Sequence, residues 1–301
     1  MRNFVDIQEI NLNQLNIILE DSARLKNSRI NLPKGALDIE PTLSGRIVAL
    51  LFKKPSTRTR FSFDVGINQM GGKSIPVSSN EMQLSNAERM SDTAQVLSKY
   101  VDMIVLRTDD HHDLLDLTEN SVVPVINGLS NFSHPCQVLA DVFTFEELAG
   151  SIKGRKVVWL GDGNNVCNSY LQAAEKFDFE FVYSGPKAFR PEHSKKSSHY
   201  VYERDPENAV DSADLLVTDT WFSMHQTERE RDKRAILMND YCITERLLMK
   251  TKSECLIFHC MPIYREKEIS SEVVDQFFKV FLAQAENRLH VQKSIMKWCF
   301  E

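Results

Sequence analysis

Short apolar runs alternate with longer amphipathic ones along nearly the whole chain, and this rhythm restricts it to parallel α/β architectures. In the first half the expected strands are "RIVALLF" (46–52), "KSIPVS" (73–78), "DMIVLRT" (102–108) and "VVPVING" (122–128), with a helix at 87–100 among the intervening segments. In the second half they are "KVVWLGD" (156–162), "FEFVYSG" (179–185), "ADLLVTD" (213–219) and "CLIFHCM" (255–261), with helices near 164–176, 226–249 and 270–280. No internal repeat is visible. A length of 301 residues favours two domains, since a single domain usually runs to about one or two hundred. The join falls at the helix opening "HPCQVLADVFTFEEL", where Pro135 suits a first helical position and "AGSIKG" forms the exit.

The formal net charge of −6 disfavours nucleic acid and anionic membranes as partners. The opening "MRNFVDIQEINLNQL" lacks the apolar core of a signal peptide, and no apolar run is long enough to span a bilayer. The six cysteines stand at 136, 167, 242, 255, 260 and 299, with no CxxC pair and no zinc-like spacing. These features predict a cytoplasmic protein with reduced thiols and no bound metal.

In open α/β sheets ligands sit beyond the carboxyl ends of the strands, and polar residues gather there at six places. The first-half ends lead into "KKPSTRTR", Arg107 and "NFSHPCQ"; the second-half ends are "GDGNN", "TDTWFSM" and "HCMP". Six clusters at one topological position predict a single cleft between two domains. In "PSTRTR", Ser56 is expected to cap a helix whose first-turn N–H groups, with Arg58 and the hydroxyls of Ser56, Thr57 and Thr59, would cradle an anion. His134 and Gln137, three apart, share a helix face. In the second half Asp219 could pair with a substrate ammonium, Asn164 and Asn165 offer amides, and Cys260 stands beside His259. Taken singly, each cluster also fits ordinary chemistry: an exposed helix cap, a structural histidine, a buried thiol, or, for Glu228 to Arg234, a solvated charged face.

Competing phosphate sites are poorly supported. No GxxxxGK[ST] occurs. "GDGNNV" has valine where a dinucleotide fingerprint needs its third glycine, and the next strand ends in "VYSGP" with no acidic residue to hold a ribose.

The segments "FKKPSTRTRFSF", "MQL", "LRT", "NFSHPCQVLAD", "GDGNNVCNS", "TDTWFSM", "HCMP" and "AENRLHVQK" resemble the ornithine carbamoyltransferases, a branch of the transcarbamylase superfamily. They keep the family's order and cover the chain from about residue 45 to its end. The resemblance implies an α/β fold of two domains, each a mainly parallel sheet flanked by helices, with the active site in the cleft between them. It implies a carbamoyl-phosphate-binding domain (1–133 with 285–301), an ornithine-binding domain (150–284) and a connecting helix at 134–149. It also implies transfer of the carbamoyl group of carbamoyl phosphate to the δ-amine of L-ornithine, with no cofactor, in a trimer or trimer-based assembly.

Residue by residue, the resemblance assigns carbamoyl phosphate to Ser56, Thr57, Arg58, Thr59, Gln83, Arg107, His134, Gln137, Cys260, Met261 and Arg288. It assigns ornithine to Asn165, Asp219, Ser223 and Met224, and a catalytic role to Arg58, Arg107, His134, Asp219 and Cys260. Gln83 falls on a loop near a subunit boundary in this superfamily. One departure stands out: where the family usually has glycine after Ser-Met, this chain has His225. Glycine there would permit positive φ, so His225→Gly is expected to raise activity or lower the ornithine KM. Two other readings remain: a transcarbamylase for another amine such as putrescine, against which Asp219, Ser223 and Met224 argue, and a non-catalytic homologue that binds carbamoyl phosphate.

Overall fold

The side chain of Asn11 accepts a hydrogen bond from the Gln14 N–H and so starts the first helix, α1 (Leu12–Asn27). The structure, a computed structural model, describes residues 2–78, 88–191, 197–222 and 227–301. It divides into two compact units, Met1–Phe143 with Glu286–Glu301, and Thr144–Ala285.

In the first unit, β1 (Ile47–Phe52) is apolar at all six positions and almost wholly buried. That composition suits the interior of a parallel sheet covered on both faces. Helix α2 (Arg58–Gln69) follows, then β2 (Lys73–Ser78), α3 (Met90–Leu97), β3 (Met103–Arg107), α4 (His111–Asn120) and β4 (Val125–Leu129). The sheet order is β2-β1-β3-β4, all parallel. Pro76 lies in the edge strand β2, where a missing N–H is tolerated. The register pairs Phe52 with Arg107 and Arg107 with Leu129, so the carboxyl ends of β1, β3 and β4 are level. Ala49, Leu51, Ile104, Leu106, Leu114 and Leu117 pack into one apolar cluster on this sheet.

Helix α5 (Pro135–Ala149) starts at its proline, as expected, and is buried from Pro135 to Phe145. The second unit continues with β5 (Lys156–Leu160), α6 (Asn165–Phe177), β6 (Glu180–Ser184), β7 (Tyr200–Tyr202), α7 (Pro206–Ala209), β8 (Leu215–Thr218), α8 (Glu228–Met238), α9 (Glu245–Leu248), β9 (Leu256–His259) and the start of α10 (Ser271–Phe300). Its parallel sheet runs β7-β6-β5-β8-β9. Leu160, Thr218 and His259 are aligned across β5, β8 and β9, which brings the residues that follow them to one edge. No helix among the described residues is long and apolar enough to cross a membrane.

Four local expectations need correction. The helix expected over 226–249 is broken: α8 ends at Met238, a 3-10 turn covers Asn239–Tyr241, and Ile243 pairs with Ile269 before α9 begins. The helix expected at 270–280 runs on to Phe300 as α10. The strand β7 escaped notice because it is three residues long and half exposed. Ser56 is not the cap of α2: Thr57 holds that position with a helical backbone, φ −82° and ψ −61°, and caps with no side-chain bond.

Candidate active site

The start of α2 lies just beyond β1, and it presents Arg58, Thr59 and Arg60 ahead of the first intrahelical bond, from Phe61 N–H to the Thr57 carbonyl at 2.9 Å. First-turn amides have no partner inside their own helix, and the helix dipole adds positive potential there. Thr59 is buried, and its Oγ1 accepts from Arg107 Nη1 at 3.0 Å and from Arg288 Nη2 at 2.7 Å. Arg288, on α10, also donates Nη2 to Nε2 of His134 at 3.2 Å and Nη1 to Oε1 of Gln137 at 3.1 Å. Gln137 in turn donates to Oδ1 of Asp141 at 2.9 Å, one helical turn on. Thr59, Arg107, His134, Gln137 and Arg288 therefore form one hydrogen-bonded cluster at the strand ends of the first unit.

The state of His134 follows from this geometry. A guanidinium can only donate, so Nε2 is the acceptor and the ring proton sits on Nδ1. Burial, then the charges of Arg288 and Arg107, hold its pKa well below the usual histidine value, which keeps the ring neutral. Arg58, by contrast, is exposed, and its side chain makes no hydrogen bond or ion pair among the described residues. Ser56 and Thr57 stand before it on the same turn, outside the buried cluster.

In the second unit the edge made by β5, β8 and β9 carries a separate group. Asp219 is buried directly after β8; its Oδ1 lies 3.2 Å from Sγ of Cys260, directly after β9, and its Oδ2 accepts from Asn164 Nδ2 at 2.7 Å. Asn164 also caps α6 by accepting from the N–H groups of Val166 and Cys167. The loop before it holds Asp162, whose carboxylate is ion-paired with Arg234 of α8; the Arg234 guanidinium also lies 4.2 Å over the Phe189 ring. Burial, then the nearby Asp219 charge, raises the Asp162 pKa to about 6 against the opposing pull of Arg234. The glycines of "GDG" have local work: a side chain on Gly163 would meet the Phe189 carbonyl at 2.2 Å, and Gly161 has φ +108° with Trp221 close by.

His259 lies under this edge. Its Nδ1 accepts from the Met261 N–H at 2.8 Å and its Nε2 meets Oε1 of Glu268 at 3.2 Å. Ligand atoms of Asp219, His259 and Cys260 all lie within 4.8 Å of one another. Both ring nitrogens of His259 are already engaged, so coordination of an ion by this histidine would break one of those bonds.

Profiles of the aspartate/ornithine carbamoyltransferase family match the chain twice: the carbamoyl-P binding domain over residues 2–147 and the Asp/Orn binding domain over residues 153–299. The chain belongs to that family. Over 305 residues it is 48% identical to the ornithine carbamoyltransferase of Ruegeria pomeroyi, with 99% of each chain covered. The solved ornithine carbamoyltransferase of Pyrococcus furiosus superposes with a TM-score of 0.91 at 37% identity, covering 98% of this chain and 96% of that one. The anabolic ornithine carbamoyltransferase of Campylobacter jejuni gives a TM-score of 0.91 at 31% identity, covering 100% and 99%.

Among the site residues expected from carbamoyltransferase resemblance, Gln83, Ser223 and Met224, with the departure at His225, lie outside the described residues. Asn165 opens α6, but it is Asn164 whose amide reaches Asp219. Asp141 was missed, although its spacing of four from Gln137 on a helix was a readable signal. Arg234 had been read as part of a solvated charged face, and its partner, Asp162, is 72 positions away in the chain.

Proposed function

We propose that this carbamoyltransferase joins carbamoyl phosphate to the δ-amine of L-ornithine, giving L-citrulline and phosphate. The observation that carries the choice of amine is Asp219, a buried carboxylate beside the Cys260 thiol at the strand ends of the second unit. A carboxylate there suits an ammonium and repels the acidic side chain of aspartate.

In this reading the start of α2, with Ser56, Thr57, Arg58 and Thr59, holds the phosphate, and Gln83 adds a further contact. Arg107, His134, Gln137 and Arg288 hold the carbamoyl group and its bridging oxygen. Asp219 draws in the δ-ammonium and, with Cys260, orients it; its solution pKa is near that of lysine, about 10, so it gives up a proton before it attacks. Asn165, Ser223 and Met224 hold the amino-acid end. The amine nitrogen attacks the carbamoyl carbon, a C–N bond forms, and an oxyanion develops that the guanidinium groups stabilise. The C–O bond to phosphate then breaks, phosphate leaves with the electron pair, and the nitrogen passes its extra proton to the departing phosphate or to water. Met261 supports the carbamoyl amide through its backbone. The proposed working assembly is a trimer, which sedimentation would report as three times the 34.6 kDa chain.

The test is a citrulline assay with carbamoyl phosphate, offering ornithine, putrescine, N-acetylornithine and aspartate in parallel. Turnover with ornithine well above the other three supports the reading. Equal or greater turnover with another amine overturns it.

A further inference from the structure

The turn between β4 and α5, Ser130 to Ser133, delivers His134 and Gln137 to the Thr59 cluster, and one residue outside the turn touches three of its four members. That residue is His111, the first of α4. Its backbone N–H donates to Oδ1 of Asn131 at 2.9 Å, its Nδ1 lies 2.9 Å from Oγ of Ser130, and its ring lies 4.9 Å from the Phe132 ring, tilted by 51°.

The direction of the Ser130 contact can be assigned. Ser130 Oγ accepts from the N–H of Phe132 at 3.3 Å and of Ser133 at 3.2 Å. Its own hydrogen has two acceptors within reach, Nδ1 of His111 at 2.9 Å and the Ser133 carbonyl at 3.5 Å; the shorter contact takes it, and Nδ1 is unprotonated. The ring proton then sits on Nε2, which faces Oδ2 of Asp6 at 3.6 Å. Burial, the largest influence on this ring, lowers its pKa from the ordinary histidine value and favours the same neutral form. The turn is closed by the Ser130 N–H donating to the Ser133 carbonyl at 2.9 Å, and Ser133 Oγ accepts from Asn127 at 3.0 Å. The Asn127 side chain holds the exit of the turn from one side; His111 holds its entry from the other.

We infer that His111 is a positioning residue for the carbamoyl-phosphate end of the reaction: it fixes the Ser130–Ser133 turn and through it the place from which His134 and Gln137 reach their ligand. This rests on the function proposed above. A small displacement of a substrate-holding group is costly to binding and rate, so the effect falls on one substrate and not on both.

The test compares wild type with His111→Leu, which removes the acceptor, and His111→Asn, whose Oδ1 can replace Nδ1. Loss of one hydrogen bond of this kind corresponds to about a tenfold change. His111→Leu is expected to raise the KM for carbamoyl phosphate about tenfold with the ornithine KM little changed, and His111→Asn to restore most of the loss. If His111→Leu does not fold, Ser130→Ala breaks the same contact from the other side and carries the same expectation. A fall in thermal midpoint with the carbamoyl phosphate KM unchanged, or an equal rise in both KM values, overturns the inference. Absence of citrulline from wild type overturns the functional reading, and this inference with it; normal wild-type turnover with no selective KM effect overturns the inference alone.

Discussion

The thiol of Cys260 lies 3.2 Å from Oδ1 of Asp219, across two parallel strands whose preceding residues, His259 and Thr218, are paired in register. The sheet therefore sets the distance between the two groups, and neither depends on a long loop for its position. Cys260→Ala removes the thiol and leaves the carboxylate. It is expected to raise the ornithine KM about tenfold with little change in the carbamoyl phosphate KM, as for one lost hydrogen bond. Steady-state kinetics with each substrate varied in turn would show it, and equal effects on both would count against the assignment.

Arg288 reaches Thr59, His134 and Gln137 through two nitrogens. Lysine keeps the charge and loses the planar fork. Arg288→Lys should lower kcat by about a hundredfold or more, in the range found when a preorganised donor is removed. Circular dichroism at the same temperature separates this from unfolding.

The two buried histidines of the first unit give acid sensitivity with a definite sign. His290 has its pKa lowered to about 3, first by burial and then by Lys293 and neighbouring cations, and His134 is lowered well below its ordinary value. In the unfolded chain both take up a proton near pH 6.5. Their contribution is present above that pH and is lost as pH falls through the window down to the folded value, for His290 about 6.5 to 3. Each costs about 1.4 kcal/mol per pH unit inside it. Denaturant unfolding at pH 5, 6 and 7 should show a shallower slope for His290→Phe than for wild type.

Asp162 works in the opposite direction. Its folded pKa of about 6 exceeds the ordinary aspartate value, so the folded protein binds the proton more tightly than the unfolded chain. Stability from this group is highest below about pH 4 and falls as pH rises to about 6, by about 1.4 kcal/mol per pH unit. Asp162→Asn should remove that fall while keeping an acceptor for Arg234. The comparison requires wild type and variant in the same buffers, because the histidine slope opposes it. A variant curve parallel to wild type from pH 4 to 6 would contradict the prediction.

The central strands were readable because buried parallel strands are continuous apolar runs; "IVALLF" and "KVVWL" admit little else. The polar residues at their ends were readable for the same reason: they interrupt such runs abruptly. The short strand Tyr200–Tyr202 was not, since three half-exposed residues carry no period. Nor was the break inside 226–249, where Ile243 is drawn out of helix by pairing with Ile269, a partner that no local pattern announces. The same limit applies to the candidate site. Gln137 and Asp141 lie one turn apart on a helix and could be paired by counting. Arg234 with Asp162, and His111 with Ser130, meet only because the fold brings separate elements to the same edge of a sheet.

Arg288 and Thr59 touch although 229 positions separate them in the chain. Synthesis proceeds from the amino end, so Thr59, His134 and Gln137 are all made long before their shared partner. A chain halted between α5 and α10 carries the first sheet and its turn but not the guanidinium that joins them. Closing so long a segment also costs chain entropy that only the finished contacts offset. Completion of the Thr59 cluster therefore waits on α10, and it reports that translation has passed Arg288.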